Sequence, residues 1–382
     1  MDLTLTADQE LIASTARELL EARAGAAGAR AVLDEPSGHS AALWKEMAEL
    51  GWTGLAFPEE HGGAGAGFLE ACLLFERLGH ALVPSPLLST VACCGMPIAR
   101  HGTAAQKGEW LGAIARGRVM ACAPAPWDRP GEFPLRAAVA GDGFVLDGTA
   151  ASVPFGGAAE ALLAVAALDG APRAFLVDAA SPGLALEPAG TIGLDGAHDA
   201  TFTGVRVPAD RALGDGAVPA VSAFGAAATC AEMAGAAQRV LDLTVAYAAE
   251  REQFGAPIGS FQAVQHHCAD MAIDVLGARF TAYEAIWRLS AGLDAAREVA
   301  TAKAWVSAAY ERVCALGHQV HGAIGFTREH DLHLFARHAT ASALAFGDED
   351  HHLAALADGL GLPAAGQEMT SPPSTVNVAP VV

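Results

Sequence analysis

Arg251-Glu252-Gln253-Phe254-Gly255, followed by Pro257-Ile258 and Phe261-Gln262, breaks two long stretches of helical periodicity. Arg251 stands where one helix gives way to the next, and a guanidinium at such a place can pair a pyrophosphate bidentately. Phe254 offers a flat face to a ring, and Gly255 lets the chain turn. A second stretch, Gln319-Val320-His321-Gly322-Ala323-Ile324-Gly325-Phe326, follows the helices further on. Its glycines permit close backbone approach to a ligand, and Gln319 can bond a nucleotide hydroxyl. Taken singly, these features read as a surface salt bridge, a core ring and an ordinary turn. Their combination favours a nucleotide.

Working outward, Met233, Ala237, Val240, Leu241, Thr244 and Ala248 line one helical stripe, and Phe261, Val264, Cys268, Met271, Val275 and Leu276 line another. Val299, Ala302, Val306, Ala309, Val313 and Leu316 alternate steps of three and four, the seam of antiparallel bundle helices. The spacing predicts a C-terminal bundle of three or four long helices over 216–360, with a loose Pro/Ser/Ala-rich tail at 361–382. Residues 119–215 read as a small β domain. There Gly141-Asp142-Gly143 and Asp169-Gly170 separate short apolar runs in the manner of hairpins, and Phe202, Val205 and Val207 add a last strand. Residues 1–118 read as helical, with stops at Gly51, Gly62 to Gly65, Gly79 and the Pro84/Pro86 pair. Trp44, Met47 and Leu50, and then Ala71, Leu74, Phe75 and Leu78, form amphipathic faces on one core. The expected architecture is mainly α with a central β domain.

Composition narrows the function classes. Of the 382 residues, 52% are apolar and 17% charged, the balance of a well-buried globular chain. A formal charge of −20 repels phosphates, which argues against nucleic acid or an anionic membrane as partner. An anionic ligand therefore needs a local cluster of arginines. No export signal is legible at Met1 to Ile12, and the apolar run Ala158 to Leu168 contains Glu160 and is too short to span a bilayer. A cytoplasmic protein is expected. Seven cysteines without a C-x-x-C pair fit buried free thiols in a reducing compartment. His266-His267 and His351-His352 read as polar histidines, because adjacent helical residues diverge by about 100° and nothing completes a metal ligand set at suitable spacing.

The chain resembles the acyl-CoA dehydrogenase family of flavoproteins. Besides the two bundle motifs, the resemblance rests on Leu50-Gly51-Trp52, on Phe57-Pro58-Glu59-Glu60-His61-Gly62-Gly63-Ala64-Gly65, and on Phe75-Glu76-Arg77-Leu78-Gly79. Gln319 to Phe326 is similar to the family's Q-x-x-G-G-x-G loop, with Ala323 in place of the second glycine. The resemblance implies an N-terminal helical domain, a β barrel or sandwich and a four-helix bundle. It also implies FAD as cofactor, an acyl-CoA substrate and α,β-dehydrogenation of its thioester. Arg251, Phe254, Gln262, Gln319 and Gly322 would hold the adenine and pyrophosphate half of a neighbouring chain's FAD, which implies a homo- or hetero-oligomer, a dimer of dimers.

That reaction needs a carboxylate to remove the proton α to the thioester while a hydride leaves the β carbon. In the family the glutamate lies at one of two places. Nine residues after Arg337 this chain has Phe346, and thirteen before Gln238 it has Gly225. Glu232 follows Gly225 by seven residues, about 10 Å along a helix axis, and reads as a polar or interface glutamate. Asp348, Glu349 and Asp350 read as a solvated acidic turn, although a rearranged loop would present one of them. Where the family cradles the flavin ring, this chain has Pro124-Ala125-Pro126-Trp127-Asp128-Arg129-Pro130-Gly131 and Val153-Pro154-Phe155. Each proline removes an N–H donor. Trp127 reads either as a ring that stacks on the flavin or as a core tryptophan.

Three readings follow, in order. The first is the non-catalytic partner of a longer, glutamate-bearing acyl-CoA dehydrogenase paralogue, for long or bulky substrates including steroid side chains. The second is a self-sufficient homo-oligomer whose base is relocated to Asp348, Glu349 or Glu232. The third is a flavin-free binding or scaffold protein on the same fold.

Overall fold

The computed structural model describes residues 4–23, 25–32, 35, 37–128 and 132–362. The expected loose tail, from residue 363 on, and Arg129 to Gly131 lie outside the described residues. Helices α1 (Ala7–Arg23), α2 (Gly25–Val32), α3 (Ala41–Glu49) and α4 (Phe68–Ala81) come first. A π-helical segment, Leu88–Gly95, then runs into α5 (Met96–His101) and α6 (Ala104–Ala115). Ser40 caps α3 through its hydroxyl, and Thr103 and Gln106 form a capping box on α6. Ala71, Leu74, Phe75 and Leu78 are buried as their spacing predicts, as are Trp44 and Met47. Leu50 is not, because it caps α3 at the surface with half its area exposed.

Seven strands follow: β1 (Met120–Ala123), β2 (Leu135–Ala140), β3 (Gly143–Val153), β4 (Ala161–Leu168), β5 (Ala171–Asp178), β6 (Leu184–Pro188) and β7 (His198–Pro208). They form one sheet in the order β1-β4-β2-β3-β7-β6, with β5 antiparallel on β4. β4 pairs in parallel with β1 through its first half and with β2 at its end. Both glycine turns form hairpins, β2–β3 and β4–β5. The sequence left β1 and β6 unread: β1 is Met-Ala-Cys-Ala buried throughout, without alternation, and β6 ends at a proline.

The bundle consists of α7 (Ala217–Glu250), α8 (Gln262–Ser290), α9 (Ala296–His321), α10 (Leu332–Leu344) and α11 (Glu349–Gly359), with the two-residue strands β8 (Glu252–Gln253) and β9 (Ala256–Pro257) between α7 and α8. The α9 seam is buried from Val299 to Val313, whereas Phe261 and Leu276 of the α8 stripe are exposed. α7 is central and packs against α4, α8 and α9. By length and composition it could cross a membrane, but 72% of its most apolar stretch is buried inside the protein. A helix apolar on every side is what such a position demands. The run weighed for this role in the sequence, Ala158 to Leu168, is largely β4.

Close approach of α4 and α7 explains the glycine expected to end α4. Gly79 ends nothing, since the helix runs on to Ala81. A Cβ at Gly79 would stand 1.9 Å from the Glu232 carbonyl oxygen, and one at Gly235 would stand 1.9 Å from that of Glu76. Tyr283 donates a short hydrogen bond to the Glu76 carboxylate, and Arg279 lies 3.6 Å from its other oxygen, tying α4 to α8 as well. The Phe75 to Gly79 motif is thus an instruction for packing helices.

Candidate functional site

At one end of the bundle α7 stops with Arg251 as its C-cap. The chain turns through Phe254 and Gly255, at φ +55° and +81°, and Ile258 N–H closes the turn on the Arg251 carbonyl at 2.7 Å. Phe254 is 94% exposed and meets Phe261 edge-on at 6.1 Å. α9 ends at the same corner. Gln319 lies in its last turn, and Gly322 leaves the helix at φ +65° with open space where a side chain would be. The Tyr247 ring, one turn before Arg251, stacks on His321 at 4.5 Å and joins the two motifs. Arg251, Phe254, Gln262, Gln319 and Gly322 therefore come together, all exposed.

A second region lies elsewhere. A cleft of about 1320 Å³ opens between the end of α4, the π-helical segment, the sheet, α7 and α10. Phe346, one of the two positions where the resemblance places a base, lines it, and Gly225, the other, meets Phe346. A Cβ on Gly225 would lie 2.5 Å from two atoms of the Phe346 ring, so that ring fills the notch left by the absent side chain. Phe346 adopts φ +58°, a conformation that a bulky residue keeps only when its surroundings impose it. Its carbonyl lies 2.9 Å from His352 Nε2. Lys303, fully buried, donates to the carbonyls of Ala343 at 2.8 Å and Gly347 at 2.9 Å and to Ser307 at 3.1 Å. Burial lowers the Lys303 ammonium to about 8 and His352 to about 4.

Glu232, read in the sequence as a polar or interface glutamate, lines the cleft. Its carboxylate lies 3.7 Å from His338 Nε2. Tyr310 donates to the Phe335 carbonyl at 3.1 Å, so its oxygen accepts from His338 Nδ1 at 3.2 Å. The Nε2 then faces Ser342 and Glu232. Asp195, on the loop before β7, also lines the cleft, and its Oδ1 is buried without a partner among the described residues. Burial pushes its carboxyl above the usual range, partly offset by its own backbone and by His338. Asp348 instead caps α11, accepting from His351 N–H at 2.8 Å, and Glu349 is exposed in the first turn. Neither lines the cleft.

Trp127 is half-buried at the cleft wall, edge-on to His351 at 5.7 Å, which places it outside the core. Pro124, Pro126 and Pro154 line the same wall. Sequence reasoning missed Lys303 and Asp195. Lys303 had a signal, because it falls between Val299 and Val306 in the apolar α9 seam; Asp195 sits in a loop and had none. Four histidines beneath the Gln319 loop, His318, His321, His330 and His333, were likewise not read together.

Two regions of different character thus stand apart, an exposed corner that carries the two bundle motifs and a separate cleft between helices and sheet. Profiles of the acyl-CoA dehydrogenase N-terminal and C-terminal domains match residues 6–118 and 218–361. The acyl-CoA dehydrogenase FadE27 of Mycobacterium tuberculosis is 35% identical over 80% of this chain and 84% of its own length. IpdE2 of the same organism, also an acyl-CoA dehydrogenase, is 30% identical over 89% and 93%. Among solved structures, a chain of the ChsE4-ChsE5 complex from Mycobacterium tuberculosis superposes with a TM-score of 0.89 at 32% identity, covering 95% of this chain and 100% of that one. A chain of the Tcur3481-Tcur3483 steroid ACAD gives 0.88 at 32% identity, with coverage of 94% and 99%. The chain belongs to the acyl-CoA dehydrogenase family, oxidoreductases that act on CH–CH bonds with FAD.

The two regions fit that cofactor unequally. The corner suits a nucleotide end, with an exposed guanidinium, an accessible aromatic face and an open glycine turn. The cleft has room, but prolines line its sheet wall where donors to a flavin ring are needed, and Asp195 and Glu232 bring negative charge. FAD supplies the hydride acceptor when bound. Of the two expected base positions, one is the Phe346 ring in this cleft and the other is Gly225, packed against that ring.

Proposed function

We propose that this chain is the non-catalytic partner subunit of a heteromeric acyl-CoA dehydrogenase. Arg251, Phe254, Gln262, Gln319 and Gly322 hold the adenine and pyrophosphate half of FAD seated in a longer, glutamate-bearing paralogue within a dimer of dimers. The carrying observation is the Gly225–Phe346 contact, since neither residue can take a proton and each occupies the other's space. Complexes of two differently named chains among the structural relatives support the reading, and one of them, described as a steroid ACAD, makes a steroid-derived acyl-CoA the favoured substrate. We divide the chain as 1–118, 119–215, 216–360 and a tail, and place it in the cytoplasm.

The test is the absorption spectrum of the chain purified alone and after co-expression with its genomic neighbour. Flavin should appear in the pair and not in the lone chain. Stoichiometric flavin and turnover from the lone chain would overturn the proposal. A second reading, the self-sufficient homo-oligomer, now has Glu232 as its candidate base, because it alone of Glu232, Asp348 and Glu349 lines the cleft. Flavin bleaching by an acyl-CoA in the lone chain, abolished by Glu232→Gln, would favour it. Flavin missing from every combination would favour the binding-protein reading.

A further inference from the structure

The four histidines beneath the Gln319 loop serve neither the resemblance nor the role just proposed. His321, 5% exposed, is the hub: Tyr247 stacks on one side of it, and the His330 ring meets it at 4.8 Å. His318 stacks on exposed Phe326 at 4.2 Å, and its Nδ1 is buried without a partner among the described residues. The δ nitrogens of the other three are occupied. His321 Nδ1 bonds the Gly317 carbonyl at 2.8 Å, His333 Nδ1 bonds the His330 carbonyl at 2.7 Å, and His330 Nδ1 accepts from Leu332 N–H at 3.1 Å. Their ε nitrogens make no hydrogen bond among the described residues. His330 and His333 are half-buried, so solvent reaches them.

The surrounding charge is nearly balanced. Arg30 of α2 is ion-paired with Asp331 and donates to the Glu329 carbonyl at 3.0 Å. The exposed rim carries Arg251 and Arg328 against Glu250, Glu252 and Glu329, two positive charges against three negative. A pyrophosphate diester brings two more negative charges to a chain already at −20. The rim of this chain alone does not neutralise it, and the histidines are a further source of positive charge on this side of the site. In the free chain, burial first and then the neighbouring histidines hold His318, His321 and His330 below the ordinary imidazole value; the Gly317 carbonyl opposes this at His321, and at His330 Asp331 opposes it while Arg30 adds to it. An adjacent anion reverses that balance and favours the charged form.

We propose that His318, His330 and His333 are further phosphate-binding residues of this corner, joining Arg251 on the pyrophosphate diester of a dinucleotide, and that docking draws protons onto the cluster. The proposal rests on reading the corner as a nucleotide half-site. Because binding raises the values of His318 and His330, affinity gains as pH falls from above their bound value toward the lower free value, and proton uptake accompanies it.

The probe is ADP-ribose, whose pyrophosphate diester keeps its charge across this range. Its binding to the full-length chain is followed by titration calorimetry at pH 6.0, 7.0 and 8.0, in buffers of different ionisation heat. Affinity should be roughly fivefold or more tighter at pH 6.0 than at pH 8.0, with net proton uptake. His330→Gln should lower the pH 6.0 affinity about threefold and flatten the profile, His333→Gln should lower the affinity about threefold, and Arg251→Ala should weaken binding at every pH. The proton count on the unaltered chain stands even if a variant folds poorly. Binding that needs Arg251 but shows no pH dependence and no proton uptake would overturn the histidine proposal while sparing the half-site. No binding at pH 6.0 would overturn it too, leaving the half-site to be judged by flavin in the co-expressed pair.

Discussion

Gly225→Ala places a methyl group inside the Phe346 ring. The new Cβ would lie 2.5 Å from Cε1 and Cζ and 2.9 Å from Cδ1, so the ring must retreat by about 1 Å to reach ordinary contact near 3.5 Å. Retreat is resisted, because Lys303 holds the Gly347 carbonyl and His352 holds that of Phe346. Overpacking of this kind costs about 1–3 kcal/mol, and we take ~2 kcal/mol for Gly225→Ala. Phe346→Ala empties the notch and costs about 2 kcal/mol, below the value for a fully buried ring because Phe346 is half-buried. In the double variant the methyl enters vacated space, and Gly to Ala within a helix is favourable by about 0.5–1 kcal/mol. Gly225→Ala should therefore switch from destabilising to neutral or stabilising when Phe346 is alanine, a coupling of about 2–3 kcal/mol. Urea unfolding of the four proteins, followed by far-ultraviolet circular dichroism, measures it. A coupling under about 0.5 kcal/mol would mean that the two residues do not share the notch.

Other predictions follow from the same structure. Gly79→Ala drives a methyl into the Glu232 carbonyl between two packed helices and should cost about 3 kcal/mol or prevent folding; Gly108→Ala, in α6 with nothing within 4 Å, should stabilise by about 0.5–1 kcal/mol. Thermal unfolding of both variants separates tight packing from a general intolerance of alanine. Lys303 has a folded value of about 8 against 10.5 unfolded, so between these pH values the unfolded chain binds more protons and stability rises with pH. Relative to Lys303→Met, the native protein should gain stability from pH 8 to pH 10, and parallel profiles in urea would refute the lowered Lys303 value. Arg251→Ala in the co-expressed pair should weaken FAD retention about 10- to 100-fold, the loss of a bidentate charged contact, without altering the unfolding midpoint of the flavin-free chain.

Histidine-rich and acidic segments show where one-dimensional reading stops. Arg251 to Gly255 and Gln319 to Phe326 were legible because a turn between helices must be written in local residue types, with glycine at positive φ at Gly255 and Gly322. The hairpins at Gly141 and Asp169 were legible for the same reason. Gly79 misled because a helix-breaking residue and a residue that admits a neighbouring helix look alike until the neighbour is known. Asp348 and Glu349 were weighed equally with Glu232, since a carboxylate in sequence carries no direction. Folding points the first two at the α11 cap and solvent and the third into the cleft.

Sequence by itself determined the family, the order of helices, sheet and bundle, the two motifs of the bundle corner, and the absence of a glutamate at residues 225 and 346. All of these depend on local propensity or on single residue identities. Only the tertiary structure decided that those two positions touch, that a buried lysine holds the backbone on either side of Phe346, and that four separated histidines gather beneath one loop. Each is a contact between chain segments far apart in sequence, and such contacts are set by packing, which no local pattern encodes.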